Sequence, residues 1–400
     1  MASNNAPSTG VGIRPSSRTV HVAVPPVEGS SPLGVPLYQG HTFTFPDADS
    51  MGAAFADPGG PFVYARYNNP TARALEDAVA GLEGGAAAIG SASGMGSITS
   101  TLWALLRPGD HVVAQNRLYG GTLGILGDLD QRWGVQVTRV AAGDPAAVEA
   151  AITPRTRVLF LETIANPTGE VVDLPALTAI AARNGVTAIV DNTFATPLLC
   201  RPIEHGADIV VHSATKYLGG HSDVIGGLAV FADDALHREV RGRTLEFGSV
   251  LDPASAWLAI RGLQTLGVRV PRQSENAQTL AERLAEHPAV DTVHYPGLPG
   301  HPSHATARAL LTGGFGGVLS FDLAGGADAG RKFVNSVRLA ALAPSLGDVR
   351  SLVMHPASTS HRNLDPEELA AAGIGPGLVR VSTGIEDVED LWTDLEQALA

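Results

Sequence analysis

The run Asp208-Ile209-Val210-Val211-His212-Ser213-Ala214-Thr215-Lys216-Tyr217-Leu218-Gly219-Gly220-His221 passes from an apolar stretch into small hydroxyl-bearing residues and then reaches a lysine. Its first part has the length and β-branched content of a buried strand, and the rest reads as the loop that follows. Lysine is scarce here: the 400-residue chain has two, Lys216 and Lys332, against 25 arginines. Guanidinium serves wherever a surface cation suffices, but it stays charged, whereas a primary amine can lose its proton and attack a carbonyl. Lys332, in Gly330-Arg331-Lys332-Phe333, lies on a polar stretch and reads as a solvated helix residue. Lys216 is the candidate nucleophile.

Working outward, short apolar runs recur at 111–114, 135–140, 158–161, 187–190 and 227–231, alternating with helical stretches at 71–82, 98–106, 146–151 and 174–184. That alternation predicts an α/β layer protein with a mostly parallel central sheet. The pattern changes at Asp252-Pro253, where a long helical region runs through Leu263 and past Pro271, with 274–287 helical. Strands near 290–295, 317–323 and 378–382 and a final amphipathic helix over 386–399 follow. The expected organisation is an N-terminal arm over 1–62, a large domain over 63–254 and a smaller C-terminal α/β domain over 255–400. The first twenty residues read as mobile.

The bulk numbers narrow the function. A net charge of −13 argues against nucleic-acid or anionic-membrane surfaces, which need clustered cations. Cys200 is the only cysteine, which excludes an intrachain disulfide and a cysteine zinc cluster and points to a reducing compartment. The N-terminal residues lack the apolar run of a signal peptide, and no stretch approaches the roughly 18 apolar residues of a membrane span. The expectation is a cytoplasmic protein with no nucleic-acid or membrane partner.

Three weak signals converge on Lys216. Ser213 and Thr215 place hydroxyls suited to a phosphate beside it. Asp191 ends the apolar run 187–190, at the strand edge where open α/β sheets bind ligands. The loop Gly90-Ser91-Ala92-Ser93-Gly94-Met95-Gly96-Ser97 enters a helix, where unobstructed N–H groups form an anion site. An amine, a phosphate cradle and a carboxylate able to pair with a protonated ring nitrogen make up a pyridoxal-phosphate site. The glycine loop, Gly94-x-Gly96-x-x-Thr99, lacks the third glycine of a dinucleotide fingerprint, and no Walker-type glycine spacing precedes Lys216. His212 and His221 flank the lysine, but without HExxH or clustered ligands they read as satisfied loop histidines, and no metal site is expected.

The run from Ser213 to Gly227, SATKYLGGHSDVIGG, resembles the lysine signature of the Cys/Met-metabolism family of pyridoxal-phosphate enzymes, which includes cystathionine γ-synthases and γ-lyases, methionine γ-lyases and O-acylhomoserine sulfhydrylases. Tyr64-Ala65-Arg66-Tyr67-Asn68-Asn69-Pro70-Thr71, Ser93-Gly94-Met95, Leu118-Tyr119-Gly120-Gly121-Thr122, Glu162-Thr163-Ile164-Ala165-Asn166-Pro167, Asp191-Asn192-Thr193 and Leu378-Val379-Arg380-Val381-Ser382 extend the likeness over almost the whole chain. The resemblance implies a fold type I pyridoxal-phosphate enzyme in which Lys216 holds the cofactor and shuttles protons. It implies that Asp191 pairs with the ring nitrogen, Tyr119 stacks on the ring, and Gly94, Met95, Ser213 and Thr215 bind the phosphate. It further implies that Tyr64 and Arg66 reach that phosphate from a neighbouring subunit of a homotetramer, a dimer of dimers. Arg380 would clamp the substrate carboxylate, with Ser345, Asn166 and Tyr64 also on the substrate side and Asn166 near the cofactor's 3′ oxygen.

The implied reaction is γ-elimination or γ-replacement on a sulfur amino acid or an O-activated homoserine. Two positions bear on specificity. Gly121 stands where methionine γ-lyases usually carry Cys, which weakens that assignment. Arg350, in Ser345-Leu346-Gly347-Asp348-Val349-Arg350-Ser351-Leu352, stands where cystathionine-processing members usually have Glu, and a cation there is expected to repel cystathionine's distal ammonium. The stretch Met354-His355-Pro356-Ala357-Ser358-Thr359-Ser360-His361 resembles the sulfhydrylases. The expectation is therefore a methionine γ-lyase-like or O-acylhomoserine sulfhydrylase-like enzyme, with cystathionine γ-synthase or γ-lyase as the alternative.

Overall fold

The computed structural model describes all residues except 1–13, 25–31, 58, 361, 363–364 and 372. The apolar runs become strands: β1 (Ala87–Ser91), β2 (His111–Gln115), β3 (Gln136–Val140), β4 (Thr156–Glu162), β5 (Thr187–Asp191), β6 (Ile209–Ser213) and β7 (Gly227–Phe231). They form one seven-stranded sheet in the order β1-β7-β6-β5-β4-β2-β3. Only β7 runs against its neighbours, so the sheet is mostly parallel. Strands β2, β6 and β7 are buried along most or all of their length, as expected of a sheet covered on both faces.

Local signals set the covering helices. The helix Pro70–Glu83 starts at Asn69, whose side chain accepts from the Thr71 and Ala72 amides, and it stops at Gly84 with φ +77°. The small-residue stretch ahead of the predicted helix at 98 is less loop than expected. Gly90 and Ser91 end β1, and the helix begins at Gly94 (Gly94–Leu105), capped by Ser93. The mobile reading of the first twenty residues is corrected where they are described: Pro15–Val20 is a helix with Thr19 buried, and Arg18 donates to the Gly81 carbonyl at 2.9 Å. Residues 1–13 lie outside the described residues.

Asp252 and Pro253 start a helix of 33 residues, Pro253–Ala285, which continues through Pro271. Its first half, including Leu263 and Leu266, packs in the core of the seven-stranded sheet. Its second half, including Leu280 and Leu284, packs in a separate core with a second sheet. That sheet holds β8 (Val290–His294), β9 (Val318–Leu323), β10 (Ala341–Leu342), β11 (Leu352–Met354) and β12 (Leu378–Ser382) in the order β10-β11-β12-β9-β8, mostly antiparallel. The closing helix Val388–Leu399 seals this smaller core with Leu391 and Leu395.

Candidate active site

Strands β4, β5 and β6 run in parallel, and their last residues, Glu162, Asp191 and Ser213, come out along one edge of the sheet. A cavity of about 690 Å³ opens at that edge. It brings together Gly94, Met95, Tyr119, Gly121, Asn166, Asp191, Ser213, Thr215, Lys216, Ser345 and Arg380, positions spread over nearly 300 residues of chain. It lies between the two sheets, since β12 supplies Arg380 and β11 Met354 while β4, β5 and β6 supply Glu162, Asp191 and Ser213.

Lys216 sits one turn beyond β6, its amide bonded to the Ser213 carbonyl at 3.1 Å. Its Nζ donates to Ser345 Oγ at 2.7 Å. Ser345 has φ +87°, a left-handed conformation disfavoured for serine, which the surrounding structure holds in place. Burial, helped by the Arg380 charge, lowers the Lys216 amine to about 8. Near neutral pH both its protonated and neutral forms are populated, as a proton shuttle requires.

Arg380 is buried in β12. Its guanidinium donates to Asn166 Oδ1 at 3.1 Å and to the Ser345 carbonyl at 2.6 Å. Its Nε has no hydrogen-bond partner among the described residues. Burial pulls the guanidinium down to about 10, so it remains charged, and a charge so placed calls for an anion.

Asp191 Oδ1 accepts from the Thr193 amide at 2.9 Å, and Thr193 Oγ1 accepts from the Ser213 amide at 2.9 Å. Burial raises the Asp191 carboxyl, and the Thr193 bonds and His212 pull it back. His212 is not a loop residue as expected from sequence. It lies in β6, 1% exposed, with Nε2 bonded to Glu83 Oε1 at 2.6 Å. The same Glu83 oxygen accepts from Asn192 Nδ2 at 2.8 Å. His221 is satisfied locally, its Nδ1 on the Gly219 carbonyl at 2.8 Å. Among the described residues no group of His, Cys, Asp or Glu is arranged to hold a metal ion.

On the other wall, Tyr119 caps the helix Gly120–Trp133 with its ring half exposed, and its amide donates to Glu162 Oε1 at 2.6 Å. The glycines here are set by close approach. A Cβ at Gly94 would stand 2.7 Å from Ser213 Cβ, and one at Gly121 would stand 2.6 Å from Tyr119 Cε1. Thr215 Oγ1 accepts from the Gly226 amide at 3.1 Å, which fixes the loop between β6 and β7.

Three predicted residues stand outside this protomer's cavity. Tyr64 lies against His41 with ring centroids 5.7 Å apart. Arg66 donates to the Leu245 carbonyl at 3.1 Å and stacks over Tyr67. Arg350 is solvent-facing and bonded through Nε to Asp348 at 3.0 Å. Arg350 does not line the cavity, so within this protomer its guanidinium is not placed to repel a substrate's distal ammonium as expected from sequence.

The profile of the family described as "Cys/Met metabolism PLP-dependent enzyme" matches residues 17–400. The chain belongs to that family. It is 46% identical over 385 residues to L-methionine gamma-lyase of Pseudomonas putida, covering 96% of each chain. It is 43% identical over 385 residues to cystathionine gamma-synthase of Mycobacterium bovis, again covering 96% of each. Among solved structures, a protein from Campylobacter jejuni containing N'-pyridoxyl-lysine-5'-monophosphate superposes with a TM-score of 0.92 at 31% identity, covering 97% of this chain and 100% of that one.

The cofactor of this Cys/Met-metabolism enzyme is pyridoxal phosphate, and the fold is that of a type I pyridoxal-phosphate enzyme. The site fits it. Ser93 takes the Gly96 and Ser97 amides, which leaves those of Gly94 and Met95 without an intrahelical acceptor, and Gly94 lets them come close to Ser213, which suits an anion. The half-buried Asp191 carboxyl and the Lys216 amine line the same cavity, a donor set of the kind that such a cofactor needs. The enzyme is a carbon–sulfur lyase or γ-replacement transferase of sulfur amino-acid metabolism.

Sequence reasoning missed two members of this arrangement. Glu162 ends an apolar run as Asp191 does, so the same signal could have found it. Glu83 is the last residue of its helix, and nothing in its neighbourhood of sequence marks it as the partner of His212.

Proposed function

We propose that the enzyme acts on L-amino acids bearing a short, uncharged γ substituent, methionine or an O-acylhomoserine, rather than on cystathionine. The observation that carries this is the cavity wall. Its apolar lining includes Leu118, Ile164, Phe194, Leu346 and Met354, and besides Lys216 and Arg380 its arginine, Arg117, is already paired with Glu170 at 3.1 Å. The carboxylates lining it are Glu162 and Asp191, side by side at the ends of neighbouring strands, so no separate acid among the described residues awaits a distal ammonium.

Arg380 holds the substrate α-carboxylate through its guanidinium, whose plane is fixed by Asn166 and the Ser345 carbonyl. Bound at Lys216 and Asp191, pyridoxal phosphate supplies a carbonyl carbon for amines and a ring that takes up the electron pair left at Cα. Lys216 Nζ takes the Cα proton and returns protons to the substrate, oriented by its bond to Ser345 Oγ. Tyr119, on the cavity wall, would stack on the bound ring. Elimination of the γ substituent as thiol, with uptake of water, gives a 2-oxo acid and ammonia; capture by a thiol gives a new thioether.

Tyr64 and Arg66 serve the phosphate of a neighbouring copy in a homotetramer. Their position outside their own protomer's cavity supports that reading. Among the described residues no helix is long and apolar enough to cross a membrane. The single buried Cys200 supports a cytoplasmic setting. The test is a panel of methionine, O-acetylhomoserine and cystathionine, alone, with sulfide and with a small thiol, scored for 2-oxobutanoate from elimination, homocysteine from sulfide capture and thioether from thiol capture. Preferred turnover of cystathionine overturns the proposal.

A further inference from the structure

Strands β4 and β5 pair so that Glu162 lies directly opposite Asp191, and a buried carboxyl and a half-buried one share one corner of the cavity. Their support is unequal. Asp191 accepts from the Thr193 amide and has His212, itself on Glu83, on the next strand. Glu162 Oε1 has the Tyr119 amide at 2.6 Å, but Oε2 is buried with no hydrogen-bond partner among the described residues. A carboxylate oxygen left there without a donor, beside a second carboxylate, is costly; a neutral acid is much less so. The other charged or titratable groups on this cavity are Arg117 beside Tyr119, Lys216 beyond β6 and Arg380 on β12.

We propose that Glu162 is a positioning residue that keeps its proton at neutral pH, anchors the Tyr119 amide to β4, and leaves the single negative charge of the pair on Asp191. The charge on Asp191 is what a protonated ring nitrogen needs, so this step rests on the cofactor assignment above. Burial first, and the Asp191 charge second, hold the Glu162 carboxyl well above the usual carboxylate range, against the pull of the Tyr119 and Asn166 amides.

Glu162→Gln is permanently neutral, has the same shape and still offers an acceptor to Tyr119. Glu162→Met keeps the bulk and removes the acceptor. The decisive readout is the infrared carbonyl stretch of a protonated carboxylic acid in the cofactor-free protein at pH 7. Native minus Glu162→Gln is expected to show the loss of one such band, and native minus Glu162→Met serves the same subtraction should the first variant not fold. In the loaded enzyme, Glu162→Gln is expected to retain pyridoxal-phosphate Kd and kcat within about threefold, while Glu162→Met weakens both by about tenfold. Absence of a lost band, or a Glu162→Gln variant as impaired as Glu162→Met, overturns the proposal. Because the infrared measurement needs no cofactor, its outcome is separate from any failure of the cofactor assignment.

Discussion

At the residue scale, chemistry concentrates where a side chain is held against its own preference. Lys216 is an example: its amine is lowered to about 8 from an ordinary 10.5 because the charged form is buried. Between these values the native state sheds its proton before the unfolded state does, so stability of the cofactor-free protein rises with pH across that window and the buried-ammonium penalty is full below about 8. Capture of an aldehyde by Lys216 in that form is expected to accelerate with a midpoint near pH 8, measured by borohydride trapping and peptide mapping. Arg380→Lys keeps a cation but loses the planar fork held by Asn166 and Ser345. A loss of about 2 kcal/mol, roughly 30-fold in kcat/KM, is expected, carried mainly by KM. Gly121→Cys places a Cβ within 2.6 Å of the Tyr119 ring. The ring must move, and a change in the ratio of methionine to O-acetylhomoserine turnover is expected from steady-state rates of the variant.

At the element scale, the site depends on strand ends being fixed relative to the helix that covers them. Glu83, the last residue of the helix Pro70–Glu83, receives bonds from His212 on β6 and from Asn192 just beyond β5. Glu83→Leu leaves His212 Nε2 without its partner and one N–H of the Asn192 amide, which keeps its bond to the Cys200 carbonyl, without an acceptor, and is expected to destabilise the protein by about 2–5 kcal/mol in denaturant unfolding, with Glu83→Gln far milder. The strands themselves were readable from sequence because an apolar run of strand length bounded by turn residues has one good solution in a covered sheet. The helix Gly120–Trp133 was not foreseen, because four glycines and polar residues dilute its apolar stripe to Leu126, Leu129 and their neighbours. The mobile reading of the N-terminus failed at Pro15–Val20 for a related reason: six residues carry too little periodicity, and tertiary packing of Thr19 and the Arg18 bond make the helix.

At the scale of the whole molecule, the cavity is assembled by bringing β12 of the second sheet against the strand ends of the first, with the helix Pro253–Ala285 packed in both cores. Tyr64 and Arg66 remain outside it. If they complete a neighbouring copy's site, Arg66→Ala and Lys216→Ala proteins, each inactive alone, are expected to regain activity when refolded together. No recovery in mixed assemblies, checked by size-exclusion chromatography and rate assays, places each site within one protomer.

The sequence alone determined the α/β layering, the isolated amine at Lys216, the strand-end carboxylate Asp191 and a small-residue stretch around Gly94 that leads into a helix. Each of these is a local pattern, set by side-chain periodicity or by a residue type that only one chemistry uses. Only the tertiary structure decided that Glu83 supports His212, that Ser345 in a left-handed conformation orients Lys216, that Glu162 lies against Asp191, and that Arg350 faces solvent. These depend on which segments, 100 residues or more apart in several cases, share a low-dielectric corner, and interaction energies there follow distance in space rather than spacing along the chain.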